Sequence, residues 1–262
     1  MSLALSTIVL FILLLPGIAF RRLYYSEEFS QQYFRENLFL VFTATIVPSL
    51  LFQILWFGVG SWFSPVPDLE VVGDLVVGEN TQRALRNVQR YLGWIVLHQF
   101  SLCLFAGAVG FAARKAVRRV KWDRKYKLFR YQNTWHYILK GEFFDFPRAD
   151  YNLERDRVED IELVSVNAVQ DTAAGSYLYM GLLVDYELDA DGGLKTISLK
   201  AGRRRPLTLD AALPDDQSPA DRFYRIKGHV MVLKYSELKN LNFTYLKLVE
   251  GGEGYKLPVE VY

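Results

Sequence analysis

The sequence predicts a membrane α-helical region of three spans, followed by a small cytoplasmic antiparallel β domain of the SH3-like or Sm-like barrel type. Three observations predict it. Three uncharged apolar runs fall within the first 113 residues, a dense basic cluster follows the last of them, and short segments rich in β-branched and aromatic residues fill the chain beyond residue 160. The 262 residues suffice for one ordinary domain plus a membrane region. Apolar residues make up 51% of them and aromatics 15%, heavy for a soluble protein.

The first run, "MSLALSTIVLFILLLPGIAF", supplies a span at about residues 2–20, ended by Arg21 and Arg22. As a helix it reaches about 30 Å, the thickness of a hydrocarbon core. A cleaved signal peptide is the competing reading, but a positive start and a small-x-small cleavage site are lacking. Pro16 and Gly17 kink or end the helix near headgroup depth. The second span, residues 38–60, carries Pro48 mid-run, with Thr45, Ser49 and Gln53 every four residues as one packing face. Trp62 and Phe63 follow it as interfacial residues.

The third span covers residues 91–113, "YLGWIVLHQFSLCLFAGAVGFAA". Gln99, Cys103, Ala106 and Gly110 return to one side of it in steps of four, three and four, which marks a helix-packing face where small residues let backbones approach. Cys103 is the single cysteine, so no intrachain disulfide forms, and it reads as an apolar filler.

Three crossings put the two ends on opposite sides. "RKAVRRVKWDRKYK", residues 114–127, sets eight basic residues against one aspartate and fixes the orientation by the positive-inside rule. The N-terminus is then external, residues 21–37 are a cytoplasmic loop, residues 61–90 an external one, and residues 114–262 lie in the cytoplasm. Residues 114–130 sum to +8, against −1 before them and −5 after. A nucleic-acid domain spreads positive charge over a face of its own fold, so a local run beside an acidic domain disfavours DNA and RNA. Arg118, Arg119, Lys121, Arg124 and Lys125 are instead assigned to anionic lipid headgroups. In the first loop Tyr25, Phe29 and Tyr33 repeat every four residues, as on an interfacial helix. In the second, Asn80 caps a helical lead into the third span, and Arg83, Arg86 and Arg90 form its solvated face.

The chain thus divides into a transmembrane region at 1–113, a basic juxtamembrane helix and aromatic connector at 114–150, and a β domain at 151–262. Trp135, Tyr137, Phe143, Phe144 and Phe146 let the connector dock on the membrane or on the domain after it. Strands are predicted at 161–169, 176–188, 194–202, 223–235 and 241–249, with "DADGG" turning a hairpin between the second and third. Gly181 and Gly228 permit the bends of a small closed barrel, with a small open antiparallel sheet as the competing reading.

"LLLPGIAF" at 13–20, "NTWHYILKG" at 133–141 and "YLYMGLLVDYELDADGGLKTISLK" at 177–200 occur in an order that resembles a group of uncharacterised bacterial inner-membrane proteins. These have a Pro-Gly-containing first span, further spans and a small cytoplasmic β domain. The resemblance covers most of the chain, implies a bacterial inner-membrane location, and brings no catalytic residues with it.

Catalytic motifs are absent from the sequence. No phosphate-binding glycine loop, dinucleotide fingerprint, zinc-protease helix or nucleophile elbow occurs, so neither an enzyme nor a cofactor is expected. His98, His136 and His229 are far apart, and the acidic run Asp185, Glu187, Asp189 and Asp191 reads as solvated hairpin charge, so no metal is assigned. Arg203, Arg204 and Arg205 are the compact basic cluster of the β domain. They suit a phosphate-bearing ligand, an anionic lipid surface or an acidic partner, with a charged connector as the competing reading.

Two functions follow. One is a membrane-anchored adaptor or sensory subunit whose β domain binds a protein partner or a small anionic ligand. The other is a homo-oligomeric channel-like or membrane-perturbing effector; phage defence would suit either.

Overall fold

The structure is a computed structural model that describes residues 2–30, 37–60, 73, 81–149, 153, 155–207, 223–251 and 255–261. Tyr33, Trp62, Phe63 and Asn80 lie outside the described residues. The chain divides into two units between Asp123 and Arg124.

The first unit holds three long helices, α1 (Ser2–Tyr24), α2 (Leu38–Gly60) and α3 (Thr81–Arg119). Each is long and apolar enough to cross a membrane. Asn37 starts α2 as its cap, its side-chain oxygen accepting from the Leu40 N–H at 2.8 Å. The expected third span is the middle of a helix of 39 residues, which at 1.5 Å per residue reaches about 58 Å. α1 packs against both α2 and α3.

The burial pattern of this unit reverses that of a water-soluble bundle. Ile8, Phe11, Phe39, Val47, Ile54 and Phe100 are exposed, whereas Thr45, Ser49 and Ala106 are buried. Small residues sit where helices touch. A Cβ on Gly17 would collide with Ser49, and one on Gly110 with the Phe20 carbonyl. Aromatic contacts fill the remaining space, Trp56 stacking on Phe105 at 4.9 Å between ring centroids.

A single turn, α4 (Trp122–Lys125), lies at the division, and α5 (Thr134–Leu139) follows. Asn133 caps α5, accepting from the His136 N–H at 3.0 Å. The connector's aromatics dock on the sheet of their own unit. Phe143 and Phe144 contact the Tyr245 ring at 5.8 and 5.1 Å, and the Tyr245 hydroxyl donates to the Ile138 carbonyl at 2.7 Å. Burial pushes that hydroxyl well above the usual tyrosine range, so it stays a donor.

The sheet contains β1 (Leu163–Thr172), β2 (Gly175–Leu188), β3 (Leu194–Pro206), β4 (Tyr224–Arg225), β5 (Met231–Lys234), β6 (Leu238–Glu250) and β7 (Lys256–Glu260). All described pairings are antiparallel, in the order β4-β3-β2-β1-β6-β7, with β5 also on β3. The result is a curled half-barrel. Its core follows the period-2 rule: Val164, Val166 and Ala168 of β1 face inward beside Ile197, Leu199 and Leu233.

Two expectations are corrected. The predicted strand at 223–235 is two strands, β4 and β5, because Gly228 takes φ +138 in the bend between them. β7 extends the sheet beyond the five strands predicted. The "DADGG" hairpin forms as expected: the Asp189 carboxylate accepts from the Gly193 N–H at 2.7 Å, and Gly192 takes φ +73.

Candidate ligand site on the half-barrel

The pairing of β2 with β3 shifts register where Met180 and Leu182 face Arg203 and Lys200, so Ala201 and Gly202 together oppose Gly181. This is a β-bulge. Ala201 takes φ +54, a left-handed conformation that costs an L residue free energy and that the surrounding ladder imposes. Gly202 leaves room for Met231, whose side chain would lie 3.2 Å from a Cβ there. Bulges re-aim the side chains that follow them, and here those are Arg203, Arg204 and Arg205.

The three arginines part company. Arg205 is buried with its guanidinium 5.1 Å from the Phe223 ring centroid. Arg203 is exposed and lies directly opposite Arg225 of β4 in the ladder. Arg204 lies opposite Tyr224, stands 5.6 Å from the Tyr177 ring centroid, and lines a cavity of about 560 Å³. Arg225 and Lys227 line the same cavity, together with Tyr179, Tyr224, Gln170 and Met231. No carboxylate is among its described lining residues. Sequence reading missed Tyr179 and Tyr224, which strand pairing brings beside Arg204.

The basic run is divided between structural ion pairs and exposed charge. Arg114, only 5% exposed, donates to the Ser26 carbonyl at 3.2 Å and to the Glu27 carboxylate at 2.6 Å. That hydrogen bond holds the Glu27 carboxyl below its ordinary value, although desolvation opposes it. Arg118 pairs with the fully buried Asp123 at 2.7 Å and stacks its guanidinium over Phe29 at 5.4 Å. Phe29 is thereby 1% exposed, so this member of the predicted aromatic face points into the protein. Lys121 takes φ +59 just past the end of α3, while Arg119 is exposed. In the second unit Arg124 reaches both Glu142 at 2.8 Å and Asp145 at 2.7 Å, and Lys125 is exposed.

The stripe on α3 faces α1 of the same chain. Pro16 has no N–H, so the Ile12 carbonyl one turn back lacks its helical donor; the Gln99 side-chain amide supplies one at 2.7 Å. The Gln53 amide donates to the Leu13 carbonyl and to the Gln99 side-chain oxygen, each at 3.4 Å. The Ser49 hydroxyl donates to the Leu14 carbonyl at 2.9 Å and accepts from the Gly17 N–H at 3.0 Å. Ala106 is fully buried, Gly110 meets Phe20, and Cys103 is half-buried beside Gln99. Three side chains from two neighbouring helices thus serve three successive carbonyls of α1.

Together these features define a chain with three span-length apolar helices and an antiparallel half-barrel carrying a cationic, tyrosine-lined cavity. No family model, curated protein or solved structure matches it.

Proposed function

We propose that the protein is a membrane-anchored, non-enzymatic sensory subunit whose half-barrel binds a small anionic ligand in the cavity beside the β3 bulge. The observation that carries this reading is Arg204, which shares one face of the sheet with Tyr179 and Tyr224 at a cavity with no carboxylate among its described lining residues. Its volume lies in the usual range for small-ligand sites.

Membrane anchoring is supported by three helices that expose large apolar side chains and bury small and polar ones. The basic run argues that the N-terminus is external and the half-barrel cytoplasmic. Lys115, Arg119, Lys125 and Lys127 are exposed, and meet anionic headgroups in this reading. The bacterial inner membrane is proposed from the resemblance already described. An SH3-like or Sm-like fold type is proposed for the half-barrel from its order of antiparallel strands, with β1 between β2 and the long β6. The sensory reading is preferred to a channel because Gln53 and Gln99, the amides that would line a polar path, are spent on the backbone of α1.

The test uses the full chain in phosphatidylcholine nanodiscs, with inorganic pyrophosphate as probe. Binding is expected, weakened by salt, and reduced about tenfold or more by Arg204→Gln or Lys227→Gln, the scale of one charge-assisted hydrogen bond. Absence of pyrophosphate binding, or binding indifferent to both substitutions, would refute the proposal.

A further inference from the structure

Lys200 and Arg203 stand three residues apart on β3, and in a regular strand they would point to opposite faces. The bulge changes this. Because Ala201 and Gly202 together oppose Gly181, Lys200 lies opposite Leu182 and Arg203 opposite Met180, and both point away from the core. Arg225 lies directly opposite Arg203 and extends the same row. All three cations are exposed. Leu178, Met180 and Leu182 of β2 share this outward face, half-buried, opposite Val169, Asn167 and Ser165 of β1. No carboxylate occupies the three ladder rows that run through them; Asp185 and Glu187 lie beyond, toward the hairpin, opposite Ser198 and Thr196. Like charges directly opposite in a ladder are unfavourable, so the Arg203 and Arg225 pair gains from an anion brought to this face.

Resting on the membrane anchoring proposed above, and not on the anion in the cavity, we infer that this outward face of the half-barrel lies against an anionic lipid surface. Lys200, Arg203 and Arg225 meet headgroup phosphates, and the apolar row Leu178, Met180 and Leu182 rests at headgroup depth beside them. The arginines present planar, multidentate donors that match phosphate oxygens, and lysine adds a mobile point charge. A twofold pairing of two copies through this face would set Arg203 and Arg225 against the same cations of the second copy, so a membrane fits where a homodimer does not. The span-length helix α3 ends at Arg119 and the unit that holds the half-barrel begins at Arg124. So short a tether keeps the lipid surface at high effective concentration.

The experiment places the full Cys103→Ser chain in phosphatidylcholine nanodiscs, with or without phosphatidylglycerol, each doped with a nickel-chelating lipid. A nitroxide at Met180→Cys or Asn242→Cys, which share one outward row, reports this face; one at Leu238→Cys reports the core side. Phosphatidylglycerol should raise nickel relaxation at the two outward labels and not at the third, and salt should reverse the rise. Each cation near an anionic surface favours the docked state by about fivefold, so Arg203→Gln should lower docking by about that factor. Lys200→Gln, Arg203→Gln and Arg225→Gln combined should abolish it. No response to phosphatidylglycerol in an inserted chain overturns the inference and leaves both the anchoring and the cavity reading standing. Polyglutamate bound to such an unresponsive chain overturns it in favour of an acidic protein. A rise that survives the triple substitution, or that is equal at Leu238→Cys, overturns the assignment of the face. A chain that fails to co-purify with nanodiscs overturns the anchoring and the inference together.

Discussion

Gln99 is the residue on which the geometry of the helical unit turns, because it answers a deficit that Pro16 creates. Replacing it with leucine leaves the Ile12 carbonyl without its donor in an apolar setting, and is expected to destabilise the unit by about 1–2 kcal/mol. The check is a double-mutant cycle on reversible unfolding in mixed micelles. Pro16→Ala restores an N–H one turn after Ile12, so Gln99→Leu should cost much less in that background. An equal cost in both backgrounds would show that the amide acts by packing alone. At the other end of the chain, Ala201 holds a left-handed conformation that glycine adopts without penalty. Ala201→Gly should therefore stabilise the half-barrel by about 1 kcal/mol, seen as a raised unfolding midpoint of the full chain. A lowered midpoint would mean that the alanine methyl contributes more than its backbone costs.

Elements are tied to one another by charge as well as by packing. The end of α3 is fastened to the turn after α1 through Arg114 and Glu27, with Glu28 at 3.9 Å as a second carboxylate. Glu27 has a folded-state value held below the ordinary 4.5, chiefly by the Arg114 hydrogen bond. Its stabilisation is then fully present above pH 4.5 and is lost as pH falls through the lowered folded value. Heat unfolding of the full chain from neutral pH downward should show wild type and Glu27→Gln converging in the acid range, with the wild type the more stable above it. A constant gap at every pH would remove the ion pair as its cause. Arg124 fastens the connector of the second unit in the same manner, bridging Glu142 and Asp145.

For the whole molecule, the proposed orientation makes a prediction that no single helix makes. In a Cys103→Ser background, a cysteine at Ser2 should react with an impermeant maleimide on intact cells, and one at Tyr255 only after permeabilisation. Labelling at Tyr255 from outside would reverse the topology, and with it the assignment of the cavity to the cytoplasm. Charge asymmetry across the spans acts on the chain as it inserts and depends on no tertiary contact.

The same distinction separates local properties of the chain from those that required the fold. Three apolar runs, the Asp189 turn and the alternation of Val164, Val166 and Ala168 are local properties, set by helix rise, turn chemistry and strand period, so composition and spacing suffice to read them. The stripe Gln99, Cys103, Ala106 and Gly110 was legible as a packing face for the same reason. Its partner was not, because a carbonyl orphaned by Pro16 advertises nothing about which helix will supply the donor. Nor did three consecutive arginines at 203–205 reveal that a bulge would bury the third and direct the second into a cavity. The fate of a charged side chain depends on pairing register, and register is settled only when β2, β3 and β4 come together. Tyr224 joined the site by that pairing, across a separation in sequence that no local pattern spans.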